Sequence, residues 1–198
     1  PLMVARLYGH LASERGLRRL NGITSSPILH LDGSFNSVEG YDPVSGLWVC
    51  NVPTLNVPEN PSLQLAKAAL ARLRERFSTF PFADAAMKHD PGLGILRVRQ
   101  DLPPGLDESS YLTGLLTAVA RPSLPLAPGM VIRAPMQSGS GSGKGLLVKC
   151  AAIIATGAHP DAITAGHDSS ELDKRLNTAL IQGAPFIFLD NVNSTGLR

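Results

Sequence analysis

The hydrophobic and polar positions divide the chain into three stretches with different periods. Residues 1–57 hold short apolar runs broken by turn residues. Pro27-Ile28-Leu29-His30-Leu31 is separated by Asp32-Gly33 from Phe35 and Val38, a hairpin pattern. Tyr41-Asp42-Pro43-Val44-Ser45-Gly46 is a second turn, after which Leu47-Trp48-Val49-Cys50 resumes a short strand. Leu2, Val4, Leu7 and Leu11 fit a short helix or a strand equally well.

Residues 58–125 change to a helical period. Asn60-Pro61-Ser62 opens a helix, since Asn caps and Pro suits the first turn. Leu63, Leu70, Leu73 and Phe77 then form one apolar stripe, opposed by Lys67, Arg72, Arg74, Glu75 and Arg76. A proline- and glycine-rich loop, Pro91–Gly105, follows. Asp107-Glu108-Ser109-Ser110 leads into an apolar helix over Tyr111–Ala120 that ends near Pro122.

Residues 126–198 alternate. The pattern predicts a strand at Met130–Pro135, a Gly/Ser loop at 138–143, a helix at Lys144–Thr156 and a strand at Ala162–Ala165. A helix at Ser169–Gln182 and a strand at Pro185–Asp190 complete it. A βαβαβ order with a helix opening straight off a loop implies a parallel sheet.

Composition narrows the class. Of 198 residues, 43% are hydrophobic and 17% charged, as in an ordinary globular domain, and at 5% aromatic content the core must be mostly aliphatic. The net charge of +2 does not by itself argue for nucleic acid. Cys50 and Cys150 form no metal or disulfide spacing, which fits a reducing cytoplasm. No apolar run reaches the ~18 residues of a membrane span. The start at Pro1 and the end shortly after an apolar strand lead us to expect a piece of a longer polypeptide.

The chemistry concentrates in Ser138-Gly139-Ser140-Gly141-Ser142-Gly143-Lys144-Gly145. Glycines let a loop turn its amides inward, and the helix N-terminus behind it adds partial positive charge, so together they form an anion site. Against the phosphate-loop pattern, Gly143 and Lys144 match. Ser138 stands where the first Gly belongs, and Gly145 where a hydroxyl residue ligates Mg²⁺. A flexible linker would share the composition, but not the flanking strand and helix. The binding set is Gly139, Ser140, Gly141, Ser142, Gly143, Lys144, Gly145 and Leu146, with Lys144 reaching the β- and γ-phosphates of ATP.

Phe186-Ile187-Phe188-Leu189-Asp190 has the form of a Walker B strand, four apolar residues ending in a carboxylate that holds Mg²⁺ through water. Asp190 lies 46 residues after Lys144, room for one helix–strand–helix. Asn191 follows where many ATPases have a Glu; an amide orients a water but is no general base. Lys144, Asp190 and Asn191 are therefore the catalytic candidates. The fold expected is α/β: a partial P-loop NTPase parallel sheet over 126–198. A helical connector (58–125) and a small β-hairpin subdomain (1–57) precede it.

Several segments together resemble primase–helicase-like proteins of phages and mobile elements. They are Leu31-Asp32-Gly33-Ser34, Gly40-Tyr41-Asp42-Pro43 with Gly46-Leu47, Phe80-Pro81-Phe82, Arg121-Pro122-Ser123-Leu124-Pro125 with Ala127-Pro128, and Gly143-Lys144-Gly145-Leu146-Leu147. Ile153-Ile154-Ala155-Thr156-Gly157, Glu171-Leu172-Asp173-Lys174-Arg175-Leu176 and Leu189-Asp190-Asn191 complete the set. The resemblance implies a P-loop ATPase of the AAA-like or superfamily-3 helicase kind, with Lys144 as the Walker A lysine and Asp190 as the Walker B aspartate. It implies tolerance of Asn191, DNA as partner of the full-length parent, and a homo-oligomeric ring there. Sensor residues and an arginine finger would lie beyond Arg198.

Two other classes fit the same residues: a non-hydrolysing nucleotide-binding or DNA/oligomer-contact module with a degenerate loop, and a small-molecule kinase. His159, His167 and Asp168 read as turn residues rather than a metal site. Arg15, Arg18 and Arg19, with Arg72, Arg74 and Arg76, read as solvated faces. Trp48 reads as core, since no second aromatic accompanies it.

Overall fold

The computed structural model describes residues 2–11, 16, 18–53, 55–58, 60–135, 138, 141–164, 169–182 and 184–192. It is a mixed α/β chain whose sheets are small. The opening segment is a helix, α1 (Leu2–His10). β1 (Gly22–Thr24), β4 (Gly40–Asp42) and β5 (Leu47–Val49) form a sheet in the order β1-β5-β4, with β5 parallel to β1 and antiparallel to β4. β2 (Ile28–Leu29) and β3 (Phe35–Asn36) form the hairpin expected across Asp32-Gly33. There the Asp32 carboxylate accepts the Ser34 amide at 2.8 Å and Gly33 takes φ +84°. At the β4–β5 turn Gly46 is obligatory on two counts. Its φ is +70°, and a β-carbon would sit 2.5 Å from the Asn21 side-chain nitrogen.

α2 (Leu63–Arg76) starts at the Ser62 cap, whose hydroxyl accepts the Leu65 amide at 3.2 Å; Asn60 and Pro61 precede it rather than cap it. The expected loop after Pro91 is instead the end of a hairpin. β6 (Met87–Asp90) and β7 (Ile95–Val98) pair antiparallel, joined by Pro91-Gly92-Leu93-Gly94, with the Asp90 carboxylate accepting the Gly92 and Leu93 amides. α3 (Leu106–Ala120) begins about one turn before Tyr111 because Asp84, distant in sequence, accepts its Leu106 and Asp107 amides at 2.5 and 3.3 Å. A 3-10 turn at Arg121–Ser123 ends it.

The parallel P-loop sheet expected over residues 126–198 is not formed by the described residues, which hold one two-stranded parallel pair there while most of the chain's other strand pairs are antiparallel. β8 (Ala162–Thr164) and β9 (Phe188–Asp190) pair parallel, Ala162 opposite Phe188 and Thr164 opposite Asp190, with α5 (Ser169–Ile181) as the crossover. Met130–Pro135 has no strand pairing. Ile132 packs on the core, and Met130, though 43% exposed, lies over Gly114 on α3, where a β-carbon would overlap Met130 Cε. α4 spans Lys144–Thr156, and Gly157 closes it at φ +72° with its amide on the Ile153 carbonyl.

One core joins the second and third stretches. Phe82, Val98, Tyr111, Leu112, Leu115, Leu147 and Ala151 are buried together, with Leu73, Phe77, Phe80 and Phe186 packed around them. The Tyr111 hydroxyl donates to the Leu147 carbonyl at 2.9 Å, tying α3 to α4, and burial pushes its pKa up. Arg74 on α2 makes a buried two-pronged pair with Glu108 on α3, at 2.7 and 3.0 Å, and also donates to the Leu102 carbonyl. The first stretch attaches through Ser25 and Ser26, whose hydroxyls donate to the Thr156 and Ala155 carbonyls at the end of α4.

Candidate functional site

The Gly/Ser loop runs into α4 through two left-handed glycines, Gly141 (φ +92°) and Gly143 (φ +81°). Gly139 and Ser140, both expected to bind phosphate, lie outside the described residues. Ser138 sits in a tight turn, donating through its amide and hydroxyl to the Pro135 carbonyl at 3.0 and 2.7 Å. Gly143 is the residue before α4, and no side chain caps the helix. The first helical bond runs from the Leu147 amide to the Gly143 carbonyl at 3.1 Å. The amides of the preceding turn therefore point out of the helix N-terminus, where an anion would be held.

Lys144 is half-buried and folds back so that its Nζ donates to the Ser142 hydroxyl at 2.9 Å. Phe80 closes the other side: its Cε2 is 3.1 Å from where a β-carbon on Gly143 would be. Leu146 faces solvent. Gly145 is helical, and a β-carbon there would stand 3.8 Å from Phe188 Cζ, an ordinary contact. Packing therefore leaves room for a β-carbon at position 145. Phe188, two residues before Asp190, is the side chain nearest that position.

Asp190 ends β9 with an exposed side chain, and its Oδ1 accepts the Asn191 amide at 2.9 Å. Asn191 takes a left-handed φ of +57°, a conformation Asn tolerates better than most residues. Among the described residues no three His, Cys, Asp or Glu side chains gather to hold a metal. The Asp190 carboxylate makes its hydrogen bond to the neighbouring Asn191 amide, and the Lys144 ammonium makes its own to Ser142.

The remaining expectations separate. Arg74 is buried against Glu108 and is structural, whereas Arg72 and Arg76 are exposed; Arg15, His167 and Asp168 lie outside the described residues. His159 lines a cleft of about 560 Å³ with Glu171, Lys174 and Arg175 at the far end of α4 from Lys144. Trp48 is not core: it is 48% exposed. Pattern reading also missed a polar cluster in the first stretch. The Asp42 carboxylate accepts from Ser45 (amide 2.8 Å, hydroxyl 2.5 Å) and from Asn36 at 3.0 Å, and it meets His30 Nε2 at 3.1 Å. Burial opposes ionisation of Asp42, but these hydrogen bonds prevail and hold its pKa at about 2. His30 Nδ1 is 2.8 Å from the Ser34 hydroxyl, so the cluster knits the β2–β3 and β4–β5 turns together. The Asp32-Gly33 and Asp42-Pro43 turns marked its positions, but their convergence is tertiary.

No helix of the described residues is long and apolar enough to cross a membrane. Comparison with protein-family models, curated proteins and solved structures gave no match for this chain.

Proposed function

We propose that this chain is the ATP- and Mg²⁺-binding segment of a nucleic-acid-dependent ATPase, a DNA helicase or primase–helicase of a mobile element. The observation that carries the reading is the start of α4. Two left-handed glycines lead to a helix N-terminus with no side-chain cap, and Lys144 opens the helix. The parallel β8–α5–β9 unit supports it further, since a Walker B strand belongs to a parallel sheet.

Lys144 and the first-turn amides neutralise the phosphates, and Asp190 orients the waters of the metal that the nucleotide brings. With Gly145 lacking a hydroxyl and Asn191 lacking a base, these residues serve binding; turnover, DNA engagement and ring assembly belong to the full-length parent. Those same two residues favour a second reading, a nucleotide-binding module that does not hydrolyse.

Turnover by the parent protein tests the assignment. Hydrolysis of ATP stimulated by DNA supports the motor. Binding without turnover supports the second reading. Turnover that requires a small acceptor and ignores DNA makes the protein a kinase and refutes both.

A further inference from the structure

The β1-β5-β4 sheet has two unlike faces. Thr24, Val49 and Asp42 are buried on one, and the Ser25 and Ser26 hydroxyls just after β1 fasten it to the end of α4. On the other, the strand register places Ile23 opposite Trp48 and Trp48 opposite Tyr41. The three side chains therefore stand in one row across three strands, neighbours about 5 Å apart. Trp48 is 48% and Ile23 60% exposed, while Tyr41 is half-buried.

Arginines border this row. The Arg18 guanidinium lies 5.2 Å from the centroid of the Tyr41 ring, and the Tyr41 hydroxyl donates to the Arg19 carbonyl at 3.0 Å, holding that segment along the sheet. Both arginine side chains are exposed. Of the carboxylates on the described neighbouring segments, Asp42 is on the buried face with Ser45, Asn36 and His30, and Glu39 accepts the Asn51 amide. An exposed Trp alone would need no explanation. A Trp–Tyr–Ile row edged by cations combines π-faces for bases with charges for a phosphodiester backbone.

We infer that this face is a stacking platform for single-stranded nucleic acid, with a base on the exposed Trp48 ring beside the Tyr41 ring that Arg18 covers, and the backbone along Arg18 and Arg19. Sequence-tolerant binding of this kind rests on aromatic faces inside a cationic border. The site shares no residue with the Lys144 loop and stands whether or not that loop binds nucleotide.

Trp48 is the chain's single tryptophan, so its fluorescence reports the site directly. Oligothymidylate and oligouridylate of about 15 nucleotides should each quench it saturably, with affinity falling steeply as salt rises. Binding of either oligomer supports the inference, and their ratio names the natural strand type. By anisotropy of a labelled oligomer, Trp48→Ala and the Arg18→Ala/Arg19→Ala pair should each weaken binding about tenfold or more, Trp48→Phe should restore most of it, and Lys144→Ala should leave it unchanged. Circular dichroism of each variant checks that the fold is intact. Absence of quenching overturns the inference, as does binding indifferent to Trp48→Ala and to the arginine pair. So does light scattering in which Trp48→Ala only dissociates a protein complex, since the row would then be a protein contact.

Discussion

Phe80 sets its ring edge 3.1 Å from the position a β-carbon would occupy on Gly143, so the aromatic cluster of the core directly backs the glycine that starts α4. At φ +81° that position is also costly for any residue with a side chain. Gly143→Ala should cost about 1–2 kcal/mol in chemical denaturation and weaken nucleotide binding, because the turn and the ring cannot both keep their places.

Position 145 is the converse. It is helical and a β-carbon would make only an ordinary contact with Phe188. Gly145→Ala should stabilise the protein by about 0.5–1 kcal/mol. Gly145→Thr should remain folded and make nucleotide binding more dependent on Mg²⁺, read by titration with and without chelator.

Arg74 and Glu108 are each less than a tenth exposed and bond each other through two prongs. Glu108→Ala should cost about 3–5 kcal/mol by leaving a buried unpaired cation. Arg74→Met with Glu108→Leu should recover much of that loss. Urea denaturation of the single and double variants checks both outcomes.

Asp42 fixes the acid limb of stability. Its folded pKa, about 2, lies below its ordinary value of 3.8. The stabilisation is therefore fully present above about pH 4 and is lost as pH falls toward 2, on the order of 2 kcal/mol in all. Asp42→Asn should be less stable at neutral pH and show a flatter stability profile between pH 4 and 2.

What the sequence made legible was local. α4 falls on the expected Lys144–Thr156 because its signals are its own: Gly143 before it, Gly157 after it, and a helical apolar period between. The β8–α5–β9 crossover and the Asp32-Gly33 hairpin were readable for the same reason. What depended on distant partners was not. α3 starts early because Asp84 caps it, and Met130–Pro135 is unpaired while Met130 and Ile132 pack on α3 and the core. Trp48 is exposed because the register sets Val49, not Trp48, on the buried face. The β6–β7 hairpin was not read from the sequence: Pro91–Gly105 read as a loop, yet Ile95–Val98 within it pairs antiparallel with Met87–Asp90. At the site, Gly143, Lys144 and Asp190 were named from motif and spacing alone; the structure adds the left-handed turn at Gly143 and the strand end at Asp190.

The central claim is that the start of α4 at Lys144 holds a nucleotide. Thermal unfolding with and without ATP and Mg²⁺ tests it most directly. At a hundredfold excess over Kd the ligand should add about 2.7 kcal/mol, raising Tm by about 5–10 °C, and Lys144→Ala should lose that rise while keeping its ligand-free Tm. A Tm indifferent to millimolar ATP, or a rise of equal size in Lys144→Ala, would contradict the account.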